Sequence, residues 1–159
     1  MITGALAASY YGVPRTTMDI DIVVKVPLEH LRTKIILPLR KAGFQINEKY
    51  IRKTLSSSYK IIKLENKETP FTLDLIFSDK KLEKRAGTIL GLPTFYQKPE
   101  NLILAKLRMI KATLSKEKAL KDEEDVKAIL KYMAVDMEEL KKRAREEKAL
   151  TILKRIIED

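Results

Sequence analysis

The sequence predicts an α+β fold: a mixed β-sheet core flanked by helices, followed by a helical C-terminal segment. Three observations predict it. Up to residue 92, stretches with apolar residues at every second position alternate with stretches whose apolar residues recur every third or fourth position. From residue 93 onward only the helical period remains. Finally, 159 residues suit one domain of ordinary size, so residues 93–159 are expected to pack on the core made by residues 1–92 within a single structural domain.

Taken in order, Ala5 to Tyr11 reads as a short helix stopped by Gly12 and Pro14. In Met18 to Val26, Ile20, Ile22 and Val24 alternate with Asp19, Asp21 and Val23, the period of a strand. Leu28 to Ala42 follows as a helix with Leu31, Ile35, Ile36 and Leu39 on one stripe. Pro38 should kink or divide it, and Gly43 stops it. Phe44 to Ile51, Tyr59 to Glu65 and Phe71 to Phe77 read as strands, the last two joined into a hairpin by a turn over Asn66 to Pro70. A further short strand is expected between Ala86 and Leu92. Pro99 suits the first position of a helix running to Leu114. Another helix is expected to start near Asp122, with Val126, Ile129, Leu130 and Met133 on one face. One or two more should cover Asp136 to Ile157. A helix that opens at Thr3-Gly4-Ala5 normally has a strand feeding it; here that strand would be a stub of Met1 and Ile2, or the start would lie inside a longer gene.

Composition narrows the chemistry. With no cysteine, disulfides, thiolate zinc sites and cysteine nucleophiles are excluded. The apolar runs are far shorter than the ~20 residues a membrane-spanning helix needs, and no basic leader precedes the first apolar stretch, so a cytoplasmic protein is expected. The net charge of +10 favours polyanionic partners such as nucleic acid or nucleoside triphosphates. A Lys- and Glu-rich solvated surface, of the kind found in heat-adapted proteins, accounts for it equally well.

Asp19 and Asp21 lie two apart on the clearest strand and so face the same way, their Cα atoms roughly 7 Å apart. Such a pair can converge on one or two Mg²⁺ ions, which take hard carboxylate ligands together with substrate phosphates. It can also be the wet side of a strand, although aspartate is a poor strand former. Just before it, Gly4 permits an unusual backbone angle, and the helix that opens there offers free N–H groups to an anion. Thr3, Gly4 and Ala5 could therefore cradle a triphosphate. Asp74 sits among Phe71, Leu73, Leu75 and Phe77, where a charge needs a partner or a purpose. Beside the first strand it would complete a three-carboxylate cluster, binding a second metal or accepting a proton from an attacking hydroxyl. At a sheet edge it would simply face water. Lys106 falls within the apolar stripe of Leu102, Ile103, Leu107 and Ile110, where it either snorkels outward or reaches an anion. Asp122 suits a helix N-cap with Asp125 in the first turn. Arg15 is placed either to contact phosphate or to brace a carboxylate. His30, the one histidine, reads as a surface residue.

These residues resemble the nucleotidyltransferase superfamily that includes DNA polymerase beta, and within it the abortive-infection toxin (AbiEii-type) and other minimal nucleotidyltransferases. The segments that carry the resemblance are Gly4-Ala5, Gly12, Arg15-Thr16-Thr17, Asp19-Ile20-Asp21 and the later Asp74, followed by KPENLILAKLRMI and KDEEDVKAIL. They cover about Thr3 to Leu130. Ala5 stands where many members have serine or glycine. The resemblance implies Mg²⁺ or Mn²⁺ held by Asp19, Asp21 and Asp74, which would be the catalytic residues. It implies a bound NTP contacted by Thr3, Gly4, Ala5, Arg15, Lys106, Asp122 and Asp125. It further implies transfer of a nucleoside monophosphate to RNA, such as a tRNA 3′ end, or to a protein, in a toxin–antitoxin setting with an antitoxin-like partner. The rival expectations are a catalytically inactive fold that binds nucleotide or RNA, and a protein-interaction module.

Overall fold

A computed structural model describes residues 1–57 and 60–158. The described chain is a mixed α/β protein built on a six-stranded sheet, in the order β3-β4-β2-β1-β6-β5. The strands are β1 (Ile2–Thr3), β2 (Asp19–Val24), β3 (Ile61–Glu65), β4 (Thr72–Phe77), β5 (Lys84–Ile89) and β6 (Leu92–Gln97). The helices are α1 (Gly4–Tyr10), α2 (Leu28–Leu31), α3 (Leu37–Lys41), α4 (Glu48–Leu55), α5 (Pro99–Ala112), α6 (Lys116–Tyr132), α7 (Met137–Glu146) and α8 (Leu150–Glu158). Two compact units emerge. One comprises Met1–Leu6 and Thr16–Tyr96, and the other Ala7–Arg15 and Gln97–Asp159, with the boundary falling inside α1.

In the first unit β2 runs parallel to β4 and antiparallel to β1, and β3 and β4 form the predicted antiparallel hairpin. Alternation assigns the two faces of this sheet. Ile20, Ile22 and Val24 of β2, Ile62 and Leu64 of β3, and Leu73, Leu75 and Phe77 of β4 join Leu31, Ile36 and Ile51 in one apolar core. Each such side chain, fully buried, contributes about 1.5–3 kcal/mol. That burial holds the register, because a one-residue slip would turn every core residue outward. It also forces Asp19, Asp21 and Asp74 onto the opposite face.

Between residues 28 and 41 the helix divides as Pro38 requires. Proline has no N–H to offer the carbonyl one turn back, and its ring crowds that carbonyl. The chain responds with a π-helical turn over Arg32–Ile36, closed by the Leu37 N–H on the Arg32 carbonyl.

Several elements differ from expectation. Of the strand expected over Phe44 to Ile51, only Phe44 pairs, as a single bridge to Asn66. Glu48–Leu55 is helical because the Asn47 side chain caps it, accepting from the Tyr50 N–H. The single strand expected within Ala86 to Leu92 is a hairpin of β5 and β6. Its turn is Leu90-Gly91, with φ of 49° and 79°, the pair of positive angles a two-residue hairpin favours. The helix expected to start near Asp122 begins at Lys116, because the Ser115 hydroxyl accepts from the Lys118 N–H and caps it there. Tyr59, the expected first residue of the third strand, lies outside the described residues.

The second unit is helical. Leu102, Ile103 and Leu107 of α5, Val126 and Ile129 of α6, Leu140 and Ala144 of α7, and Leu153 and Ile156 of α8 are buried. Tyr11 donates its hydroxyl proton to the Gln97 carbonyl at 2.6 Å. The Asp136 side chain caps α7 through the Glu139 N–H. Among the described residues no helix is long and apolar enough to cross a membrane.

Candidate active site

Four neighbouring strands lay a row of polar side chains across the sheet face opposite the core. Thr3 is in register with Asp21, Asp21 with Asp74, and Asp74 with Lys63, on β1, β2, β4 and β3 respectively. Residues in register on adjacent strands share a face. Asp19 lies two residues before Asp21 on that same face, in register with Thr72. The three aspartates, more than fifty residues apart in sequence at their extremes, are thus brought to one side of one sheet.

Their environments differ. Asp74 Oδ1 is buried and accepts no hydrogen bond among the described residues. A carboxylate oxygen withdrawn from water without a partner is costly, and a cation is the economical way to satisfy it. Asp19 is exposed; its Oδ1 accepts from Thr72 Oγ1 at 2.5 Å and from Lys63 Nζ at 3.3 Å. The Thr72 hydroxyl, and after it the Lys63 ammonium, hold the Asp19 carboxyl below the usual carboxylate range. As the side chains stand, no group of three or more His, Asp or Glu among the described residues is drawn together in the geometry of a metal site. The donor chemistry nevertheless suits a hard divalent cation: three carboxylates on one face, one with a buried oxygen unsatisfied.

Gly4 lies directly against this row. It opens α1 with φ of 62°, in the left-handed region. A Cβ built there would lie 1.9 Å from Asp21 Oδ2 and 2.7 Å from its Cγ. Glycine is therefore required twice, by the backbone and by the carboxylate seated against it. We expect Gly4→Ala to displace the Asp21 carboxylate and to add about 1–2 kcal/mol of backbone strain. Thermal unfolding with and without Mg²⁺ and an NTP checks both parts: a lowered melting temperature and a lost ligand-dependent rise. Thr3 is buried at the end of β1, and Ala5 is the second residue of α1.

The remaining predicted residues belong to the second unit, where they meet one another. Lys106 is buried and donates to Asp122 Oδ1 at 2.9 Å and to Asp125 Oδ2 at 2.5 Å. Arg15 Nη1 reaches the same Asp125 oxygen at 2.7 Å. Because α6 begins at Lys116, neither aspartate is a cap. They lie about one turn apart along the helix, on the side that meets Lys106. Two cations and two carboxylates leave this network neutral. An anion held by Lys106 would have to take the place of a carboxylate.

The sequence alone does not single out Lys63 and Thr72. It does carry a signal for both. In IIKLE the apolar positions Ile62 and Leu64 place Lys63 on the polar face, and Thr72 precedes Asp74 by two residues. Reading them as partners of Asp19, however, requires the β2–β4–β3 order.

No family model and no curated protein matches the chain. Solved structures do. An antigenic nucleotidyltransferase-like protein from Paracoccidioides brasiliensis superposes with a TM-score of 0.58 at 17% identity, covering 94% of this chain and 83% of that one. JHP933 from Helicobacter pylori has a TM-score of 0.48 at 17% identity, with 94% of this chain and 68% of that one covered. The first of these likenesses shows that this chain shares the fold of that protein.

Proposed function

We propose that the protein transfers a nucleoside monophosphate from an NTP to an acceptor hydroxyl, with Asp19, Asp21 and Asp74 holding Mg²⁺ or Mn²⁺. The observation that carries this reading is the register that sets Asp21 beside Asp74 on one face, with Asp19 two residues away and Asp74 Oδ1 buried and unsatisfied. The nucleotidyltransferase-like fold supports it.

When bound, the divalent ions would neutralise the phosphates and the charge that builds on the departing pyrophosphate. The chain's own contribution is positioning. Thr3, Gly4 and Ala5 present the start of α1 to the phosphates, and the missing Cβ of Gly4 leaves room for the Asp21 carboxylate beside them. Asp74 takes the proton of the acceptor hydroxyl, whose oxygen attacks the α-phosphorus. The α-phosphorus to bridging-oxygen bond breaks, and pyrophosphate leaves. Such chemistry rests on orientation and charge, so a small set of carboxylates suffices.

Incubation with each labelled NTP, Mg²⁺, and total cellular RNA or protein tests the reading. Label is expected in one of the two pools, which names the acceptor class, and EDTA is expected to prevent it. No transfer to either pool, together with no Mg²⁺-dependent thermal shift by any NTP, overturns it. A thermal shift without transfer would instead favour a fold that binds nucleotide without turnover.

A further inference from the structure

An ammonium group already occupies the edge of the carboxylate row. Lys63 leaves β3 in register with Asp74 and donates to Asp19 Oδ1 at 3.3 Å. The same oxygen accepts from Thr72 Oγ1, so both of its lone-pair directions are in use. The bond to Asp19, then attraction from Asp74, from Asp19 itself and from Asp21, holds the Lys63 ammonium above its usual range. The geometry thus sets this charge on Asp19 and in register with Asp74, the next carboxylate of the row. The Lys63 side chain is 57% exposed, on a flexible four-carbon stem, and can swing into water without disturbing the core.

Resting on the metal-dependent reading above, we infer that Lys63 is a resident counter-cation that a divalent ion must displace from Asp19, and that this exchange sets the metal concentration at which the site fills. The two cations cannot share the oxygen. Because the lysine can leave, the cost to the metal is the exposed contact given up, which weakens its binding by up to about fivefold. The lysine also keeps the row partly neutral before metal arrives, which limits repulsion among the aspartates.

Mn²⁺ binding to the whole chain, followed by electron paramagnetic resonance at fixed ionic strength, tests this without reference to turnover. Lys63→Met and Lys63→Gln are compared with the wild type and with Lys41→Met, which removes one exposed charge from α3. Both Lys63 variants are expected to bind Mn²⁺ about three- to fivefold more tightly, while Lys41→Met stays within about twofold of the wild type. Wild-type binding that the Lys63 variants leave unchanged or weaken overturns this inference alone. So does equal tightening in Lys41→Met, which would reflect net charge only. Absence of Mn²⁺ binding in every protein overturns both this inference and the reading on which it rests.

Discussion

Asparagine at both position 19 and position 21 is expected to lower nucleotide transfer by roughly a thousandfold or more and to abolish the Mg²⁺-dependent thermal shift with NTP. The amide keeps the shape of each side chain but gives up the charge a divalent cation needs. The effect on the metal-free protein should be the reverse. Asp21 stands in register with Asp74, and two carboxylates facing each other on adjacent strands repel. At Asp19 the substitution gives up the exposed Lys63 contact, which at such a surface is worth about 0–1 kcal/mol. The double variant is therefore expected to melt at or above the wild-type temperature in EDTA, while losing its ligand response. Stability surrendered for charge is the mark of a site kept for binding rather than for folding. Scanning calorimetry in EDTA and in Mg²⁺ with NTP separates the two effects. A variant that is destabilised in EDTA and keeps its ligand response would assign these aspartates to the scaffold.

The second large effect concerns stability in the helical unit. Asp125→Ala is expected to cost about 3–5 kcal/mol, measured as a shift in urea unfolding. Asp125 is 2% exposed and its carboxylate serves both Lys106 and Arg15. Its loss leaves the buried Lys106 ammonium with Asp122 alone. The cost arises from that uncompensated charge more than from the bonds removed. Two comparisons follow from the same reasoning. Asp122→Ala should cost much less, because its side chain is 21% exposed and water can replace it. Lys106→Met should cost less in the Asp125→Ala background than in the wild type, since the charge stranded by the first change is removed by the second. Additive losses would show that the network does not act as a unit.

Strand β2 was legible because its apolar residues alternate strictly, and that alternation by itself put Asp19 and Asp21 on one face. Asp74 was legible for a related reason: a charge inside FTLDLIF conflicts with its neighbours unless it is used. Helix α4 was misread because Phe44 and Ile46 begin an alternation that the Asn47 cap then overrides, and the i, i+4 pair of Ile51 and Leu55 was the counter-signal. In sequence, β5 and β6 show the signal of only one short strand. Four of the six residues of β5 are exposed, and Pro93 looks out of place in a strand, so neither segment carries a clear period. The start of α6 was placed six residues late. Asp122 suits a cap, but the Ser115 hydroxyl accepts from the Lys118 N–H and opens the helix earlier, which leaves Asp122 and Asp125 inside it to meet Lys106.

Local periodicity and local chemistry, both carried by neighbours in the chain, sufficed for the α+β class, the main strands and the three aspartates. Partnership is different. The order of strands in the sheet, the register that seats Lys63 and Thr72 beside Asp19, the carboxylate pressed against Gly4, and the ion network joining Arg15 to residues 91 and 110 positions further on all depend on which distant segments lie side by side. That choice is made by burial of the whole apolar set at once, a collective energy that no short stretch of sequence contains.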